Sequence, residues 1–527
     1  MVESSLKKSA SKTEAKVEAE ISGSSTITPR ARDYDYDFVR PAHLLDLSYL
    51  DLEEKNLEIK HWRVEGNTSD ELRSYFLDLL KKEKGIKAVT VFFSDMEGRL
   101  HALDYDKDFL IDSEDNLTFD GSSIRGFTAQ KESDLRLRID WTSFRYAPSD
   151  LFGLGKVLIF ANVCDKDGSL YDGDFRARLA SLSDELTAKG MKINVAPEIE
   201  GFLFKGFKAE QTYDEKVGFE LVTSSGYFSS LPQDVLRKFI DKFAEVQRAL
   251  GFQNEKDHPE VAPAQFELNF RYSIALDAAD QIQLYKLLAR QVASTMGLTA
   301  CFLPKPVQGI NGSGMHTNIS LSKDGKNLFF DANGKHSLSE MAYKFATGVL
   351  YHANELCLTM NSSVNAYRRL DPHYEAPNEI KISATDRGSM VRVPIGNEKS
   401  ARLEVRTVAP DSNPYLWLYT LIKVGLSGME ASASELKKME EKVFGAAGTA
   451  GAGKVAEKLP GDIYAAIEYF AESEYMMNML GKHNHQKYAD LKRAVADRSP
   501  RLLGTRVKCG EVLYHHEVSN QLIWSEF

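Results

Sequence analysis

Apolar positions along the chain recur at two different periods. Between Ser69 and Lys82, Leu72, Tyr75, Phe76, Leu79 and Leu80 fall at helical spacing, which predicts an amphipathic helix. A shorter helix is expected around Leu44–Leu57. The run AVTVFFSDMEGRLHALDY reads as two strands around a Met-Glu-Gly turn, and KVLIFANVCD as another strand ending in the turn D-K-D-G. Helical spacing returns at Arg176–Lys189, Gln233–Leu250 and Ala278–Met296. Between and beyond these helices, MKINVAPEIEGFLF, QFELNF, HTNISL, KISATDRGSMVRVP and RLEVRTVAP read as strands. The last hundred residues are mainly helical, interrupted by GAAGTAGAG (Gly445–Gly453), a flexible loop by composition. This order predicts an α+β chain. A disordered tail and N-terminal extension would cover 1–68, a small strand-rich domain 69–167, and one large domain 168–527.

Several of these strands pair an apolar face with a face of chemically active groups. Glu198 and Glu200 stand two apart in APEIEGFLF, so a strand places both carboxylates on one side. Gln265, Glu267 and Asn269 share a face opposite Phe266, Leu268 and Phe270. His316, Asn318 and Ser320 share another, as do Arg402, Glu404 and Arg406. Glu260 lies between Pro259 and Pro263, where no regular central strand is expected. Any half-exposed strand alternates in this way. A set of them points to a sheet whose polar face lines a site. Converging carboxylates would repel by about 4 kcal/mol per pair at ~4 Å and an effective dielectric of 20. Bound divalent ions would remove that cost, and an oxygen-rich set with one His favours Mg2+ or Mn2+ over zinc.

Composition narrows the function classes. Hydrophobic residues are 43% and charged residues 27%, a globular balance. The formal charge is −10, without a long Lys/Arg run, which argues against a nucleic-acid or polybasic membrane role. Cys164, Cys301, Cys357 and Cys509 have no metal-ligand spacing, and so few in a long chain imply a reduced, cytoplasmic protein. No apolar run reaches the ~18 residues that a membrane span needs. The first thirty residues mix Lys, Ser and Glu without an apolar core and make a poor targeting segment.

The motifs FDGSSIRGF with KESD, PEIEGFLF, EVAPAQFEL, KPVQGINGSGMHTNISL, NAYRRLDPHYEAP, DRGSMVRVP and RLEVRTVAPDSNPYL occur in that order from Phe119 to Leu416. Together they resemble the glutamine synthetase family, type I (bacterial and archaeal). The resemblance runs from about Val91 to the C-terminus. It implies a small β-grasp N-terminal domain and a catalytic domain with a curved antiparallel sheet surrounded by helices. It also implies ATP-dependent ligation of ammonia to the γ-carboxylate of L-glutamate through γ-glutamyl phosphate, in a homo-oligomer of stacked hexameric rings with sites between subunits.

Carried over by motif, Glu200, Glu260 and Glu267 would hold one Mg2+ (or Mn2+), and Glu198, His316 and Glu404 a second beside the ATP phosphates. Asn311, Gly312, Arg369 and Arg406 would contact glutamate. Arg387 and Arg392 would compensate charge on the transferred phosphoryl group, and Glu255, Ser320 and Lys399 match nucleotide-side positions. Asp120, Tyr227, Glu260 and Glu375 match the ammonium pocket. Of these, Asp120 would reach a neighbouring subunit's site and Glu375 would close over the intermediate.

Departures from the family pattern are Pro259 and Phe266, each beside a ligand Glu at a usual His or Asn position. Phe444 stands where some members carry a modified Tyr, and Ala129 where a regulatory subgroup has Arg, so neither of those controls is expected. A γ-glutamyl ligase for a larger amine, such as a polyamine or ethanolamine, and a non-catalytic assembly-forming homologue are the alternatives. Retention of Asp120, Tyr227 and Glu375 favours ammonia.

Overall fold

A computed structural model describes residues 47–128, 133–207, 209, 218–230, 234–445 and 457–501. The expected tail to about Pro29, Ala129 and most of the Gly-rich loop lie outside these residues. The first described helix, α1 (Tyr49–Glu65), begins later and runs further than the expected Leu44–Leu57. Its start is set by a capping box in which Ser48 and Asp51 satisfy each other's backbone N–H, and Gly66 at φ 94° ends it. A second capping box, Thr68 with Glu71, opens α2 (Ser69–Lys82), which turns Leu72, Phe76 and Leu80 inward at the predicted spacing.

Five strands form the first sheet: β1 (Ala88–Ser94), β2 (Leu100–Asp106), β3 (Leu117–Asp120), β4 (Asp134–Tyr146) and β5 (Lys156–Cys164). Their order is β2-β1-β5-β4-β3, with β1 and β5 parallel and the other neighbours antiparallel. The Met-Glu-Gly turn forms as expected between β1 and β2. Gly98 at its tip has φ 93°, and a Cβ there would stand 2.6 Å from the Asn413 backbone. The sequence reading had no strand at β4. Its period-2 signal, Leu135, Leu137 and Ile139 inward, lies directly behind the FDGSS motif.

The second sheet has ten strands: β6 (Met191–Lys205), β7 (Asn254–Pro259), β8 (Gln265–Phe270), β9 (Ser273–Ile274), β10 (Leu298–Cys301), β11 (Met315–Lys323), β12 (Lys326–Asn327), β13 (Glu379–Ser383), β14 (Ser389–Arg392) and β15 (Leu403–Val405). The main path is β13-β14-β15-β11-β6-β8-β7, antiparallel except for β13 with β14. KISATDRGSMVRVP is two strands with a turn between them, and of RLEVRTVAP only Leu403–Val405 is strand. The proline argument holds in a specific form. β7 is an edge strand and ends at Pro259, where a missing N–H costs no ladder bond.

Helices α3 (Phe175–Ala188), α4 (Val235–Ala249) and α5 (Ala275–Thr295) pack on the apolar face of this sheet, and α6 (Pro414–Glu430) packs against α3 and α5. The predicted spans agree with the first three to within three residues at each end. α5 is buried on nearly every side, which removes its amphipathic signal. At the C-terminal side, α7 (Lys482–Arg501) follows two short helices.

α1 bridges the two sheets' surroundings. Asn56, fully buried, donates to the carbonyls of Tyr146 in β4 (2.9 Å) and Ala249 in α4 (2.8 Å), and accepts from the Tyr146 N–H (2.9 Å). Lys60 and Arg63 reach a buried cluster of Asp140, Asp277 and Asp280 that Arg145 and Arg176 also enter. Cys164, Cys301 and Cys357 are buried thiols, and Cys509 lies outside the described residues. No helix among the described residues is long and apolar enough to cross a membrane.

Candidate active site

Strand register assembles the polar face of the large sheet. His316 on β11 lies opposite Glu198 on β6, and Glu200 on β6 lies opposite Glu267 on β8. His258 on β7 faces the other side of Glu267. Asn318 on β11 is paired with Glu404 on β15, and Glu404 with Arg392 on β14. Because side chains at paired positions share a face, these pairings bring the carboxylates together by backbone geometry alone.

Two groups result. In one, ligand atoms of Glu198, His316 and Glu404 lie within 4.8 Å of one another. In the other, His258, Glu260 and Glu267 do the same. Glu200 stands between them, 3.9 Å from His316 Nδ1. It accepts hydrogen bonds from the Gly314 N–H (2.8 Å) and Gln265 Nε2 (3.2 Å). The sequence reading grouped Glu200 with Glu260 and Glu267 and left His258 out. The imidazole comes within 3.6 Å of Glu260 and 3.7 Å of Glu267. A signal for it was present, since positions 258 and 260 are two apart, but Pro259 between them argued against a strand. Gln265 was placed on the polar face without a role. Its amide also donates to the Gly312 carbonyl (3.0 Å) and Ser313 Oγ (3.2 Å), tying Glu200 to the Asn311–Gly314 loop.

The charge balance differs across the face. Burial, reinforced by the neighbouring carboxylates, pushes Glu200 and Glu267 above the ordinary carboxylate range, and burial raises Glu260 as well. Burial and the Arg406 guanidinium pull His316 below its ordinary value, leaving a neutral ring with a free lone pair at pH 7. Such a set is costly as it stands and suits a hard divalent cation, so the residues fit the metal the motifs imply. Glu404 is compensated differently. Arg392 Nη1 donates to one carboxylate oxygen at 2.6 Å and Arg406 Nη1 to the other at 2.5 Å.

Arg369 is buried and gives its fork to the carbonyls of Thr407 (3.2 Å), Val408 (3.2 Å) and Arg406 (2.8 Å). It thereby fixes the segment that carries Arg406 against Gly314, where a Cβ would meet Arg369 Nη2 at 2.5 Å. Ser320 continues the His316–Asn318 face of β11. Glu255 and Lys399 are exposed, on β7 and in the loop after β14.

The proposed amine side is more open. The Tyr227 ring stacks on Phe228 (3.8 Å) and turns its edge to His258 (6.2 Å). Glu375 has φ 62°, in the left-handed region, and its carboxylate is 3.7 Å from Arg387. Both of these side chains are exposed. Asp120 is also exposed, on the small sheet. Its carboxylate accepts from the Ser122 N–H (2.9 Å), Ser122 Oγ (2.7 Å) and Ser123 Oγ (2.7 Å), bonds that hold it below the ordinary range and therefore ionised.

Comparison with known proteins agrees with this architecture. The model of the glutamine synthetase beta-Grasp domain matches residues 85–166, and that of the glutamine synthetase catalytic domain matches residues 172–501. A glutamine synthetase of Clostridium saccharobutylicum is 36% identical over 427 residues, 79% of this chain and 94% of that protein. One from Staphylococcus aureus is 34% identical over 432 residues, 81% and 94% of the two chains. A glutamine synthetase structure from Plasmodium falciparum has the same fold, with a TM-score of 0.72 at 20% identity over 82% of this chain and 97% of that one. A structure described as a GmaS/ADP complex gives 0.69 at 25% identity, over 83% and 99%. The chain belongs to the glutamine synthetase family.

Proposed function

We propose that this chain forms glutamine from glutamate, ammonia and ATP by way of γ-glutamyl phosphate, as a cytoplasmic homo-oligomer of stacked rings. The observation that carries the reading is the pair of carboxylate–imidazole groups on the sheet's polar face, flanked by Arg392 and Arg406. Glu198, His316 and Glu404 would hold one divalent ion, and Glu200, Glu260 and Glu267, with His258 beside them, another. Bound there, the ions supply charge neutralisation for a transferring phosphoryl group.

The chain's own residues do the rest. Arg392 and Arg387 would compensate the negative charge that builds on the phosphoryl oxygens, a reading supported by their positions beside Glu404 and Glu375. Arg406, fixed from below by Arg369, presents forked donors to the carboxylate of glutamate, beside the Asn311–Gly312 loop. Ser320, Glu255 and Lys399 serve the nucleotide side. On the amine side, Asp120 held ionised attracts ammonium, and Tyr227, Glu260 and Glu375 complete its surroundings. Glu375 beside Arg387 closes over the acyl phosphate and keeps water from it.

Phosphate release measured with glutamate and ATP tests the reading. Ammonia should support turnover, with methylamine, ethanolamine and spermidine far weaker. Turnover with one of the larger amines but none with ammonia would instead make the chain a γ-glutamyl ligase for that amine. No turnover with any amine, in Mg2+ or Mn2+, would leave an assembly-forming homologue.

A further inference from the structure

The segment after Asp120 is fastened to the C-terminal helix and to the β1–β2 turn by a set of contacts that the reaction itself does not require. Five residues beyond Asp120, Arg125 donates through Nη2 to the Leu491 carbonyl of α7 at 3.3 Å. Its Nε lies 3.5 Å from Glu97 Oε2. The other oxygen of Glu97 accepts from Lys492 Nζ at 2.9 Å. Lys492 and Glu97 bury this pair, with side-chain exposures of 5% and 9%, so it is not a solvated surface contact. One turn earlier on α7, Lys487 Nζ donates to the Phe127 carbonyl. Between these points Gly126 passes so close that a Cβ would stand 2.9 Å from Leu491 Cδ1.

Glu97 is itself held in place. The turn that carries it receives Asn413 Nδ2 on the Met96 carbonyl (3.1 Å) and Gln283 Nε2 on the Gly98 carbonyl (2.8 Å). Asn413 caps α6 and Gln283 belongs to the buried α5, so the turn is pinned to the body of the large domain. Asp120 closes β3 opposite Asp134 of β4, and the Gly121 N–H donates to the Ser133 carbonyl at 2.6 Å, so the start of the loop is tied to the small sheet, while Ser122 and Ser123 fix the Asp120 rotamer. The course of the loop beyond Ser123 is held by Arg125, Gly126 and Phe127.

We infer that Lys492, Glu97 and Arg125 form an anchor through which α7 sets the position of the Asp120 loop, making Lys492 and Arg125 positioning residues for ammonium capture. This rests on the reading of Asp120 as part of the ammonium pocket. The physical reason is that Glu97 is a buried carboxylate serving two cations. Removing either leaves a charge imperfectly compensated and frees one side of the loop. A displacement of ~1 Å at a reacting group is enough to cost up to ~100-fold in rate. The contacts that hold Lys492, Glu97 and Arg125 lie on α7, the β1–β2 turn and the Asp120 loop, apart from the strands and loop that carry Ser320, Glu255 and Lys399, so the effect should fall on ammonium.

Steady-state kinetics of the assembled full-length enzyme, varying ammonium and ATP separately, test this. Lys492→Met and Arg125→Met should each raise the ammonium KM roughly tenfold, with the ATP KM unchanged within about twofold, as a small loop displacement implies. Lys492→Arg should restore most of the loss. Added to Asp120→Ala, Lys492→Met should cause no further rise, because the group it positions is gone. Native mass measurement confirms that each variant is assembled, and the half-exposed Arg125 decides the matter if Lys492→Met does not assemble. A normal ammonium KM in Lys492→Met and Arg125→Met, alongside a raised one in Asp120→Ala, would overturn the anchor. So would multiplying effects in the double variant, or an equal rise in the ATP KM. If Asp120→Ala itself leaves the ammonium KM unchanged, the pocket assignment fails first and the anchor with it.

Discussion

Replacing Glu267 with Gln changes one charge on the polar face without changing its volume, and the consequences for stability can be worked out. The ligand atoms of His258, Glu260 and Glu267 lie within 4.8 Å of one another. Two full charges at that separation repel by ~3.5 kcal/mol at an effective dielectric of 20. The folded chain already relieves part of this by holding protons, since burial and the neighbouring carboxylates raise Glu267 and Glu200. The recoverable part is therefore smaller, about 1–2 kcal/mol. In EDTA, Glu267→Gln should melt a few degrees higher than the unmodified chain. Divalent ion should reverse the order. Mg2+ at ~100 times its dissociation constant stabilises the unmodified chain by about 2.7 kcal/mol, whereas the variant has lost a ligand and should gain much less. Melting curves of both proteins, with EDTA and with saturating Mg2+, give all four numbers. An equal Mg2+ increment in the two proteins would refute the assignment of Glu267 as a ligand. A variant less stable than the original in EDTA would refute the claim of unrelieved repulsion.

Other perturbations follow from single contacts. Asn56→Ala removes three buried hydrogen bonds that join α1 to Tyr146 and Ala249, and should cost about 3 kcal/mol in urea unfolding while leaving the KM values of the folded enzyme unchanged. Arg63→Met removes the one cation among the described residues that reaches Asp140, Asp277 and Asp280 together in the interior, and should destabilise by about 3–5 kcal/mol, with no dependence on Mg2+. Lys286, buried beside the Pro410 carbonyl, is pulled down to about 7 by burial and the Arg290 guanidinium. Between that value and the ordinary one the unfolded chain binds a proton that the folded chain does not. Stability should therefore rise with pH from 7 to about 10, by up to ~1.4 kcal/mol per unit. In Lys286→Met this rise should be absent from melting curves taken across that range.

The polar face was legible because strand alternation is local: two residues apart means one side, whatever the rest of the chain does. Glu198 with Glu200 and His316 with Asn318 follow from spacing alone. What spacing could not supply is register. That His258 faces Glu267, and that Glu404 pairs with both Asn318 and Arg392, depends on how strands distant in sequence are aligned. Pro259 was a true cue that reached only so far, since it rules out a central strand and leaves open the edge strand that β7 is. The position of α1 was illegible for another reason. Its outward face is so polar that the apolar stripe is thin, and its fit depends on Asn56, Lys60 and Arg63 being buried, which residue type argues against.

The two clusters of buried acids separate structural from functional charge. Asp140, Asp277 and Asp280 are met inside the chain by Lys60, Arg63, Arg145 and Arg176, four cations to three carboxylates. Asp140 is accordingly held down at about 2 despite its burial, chiefly by Arg176 and Arg63. Nothing further is needed to stabilise that cluster, and it joins α1, β4, α3 and α5 as a joint. On the sheet's polar face, Glu404 is matched in this way by Arg392 and Arg406, and Glu198, despite its burial, is held down at about 2 by His316, Asn318 and Arg402. Glu200, Glu260 and Glu267 instead move upward, the opposite response to similar burial. A chain able to place four cations around three aspartates could have done the same for three glutamates. That it leaves them facing a neutral imidazole and one another is the property expected of groups whose positive partner comes from solution. An upward shift shared by three neighbouring carboxylates, rather than the number of acids or their depth, sets this face apart.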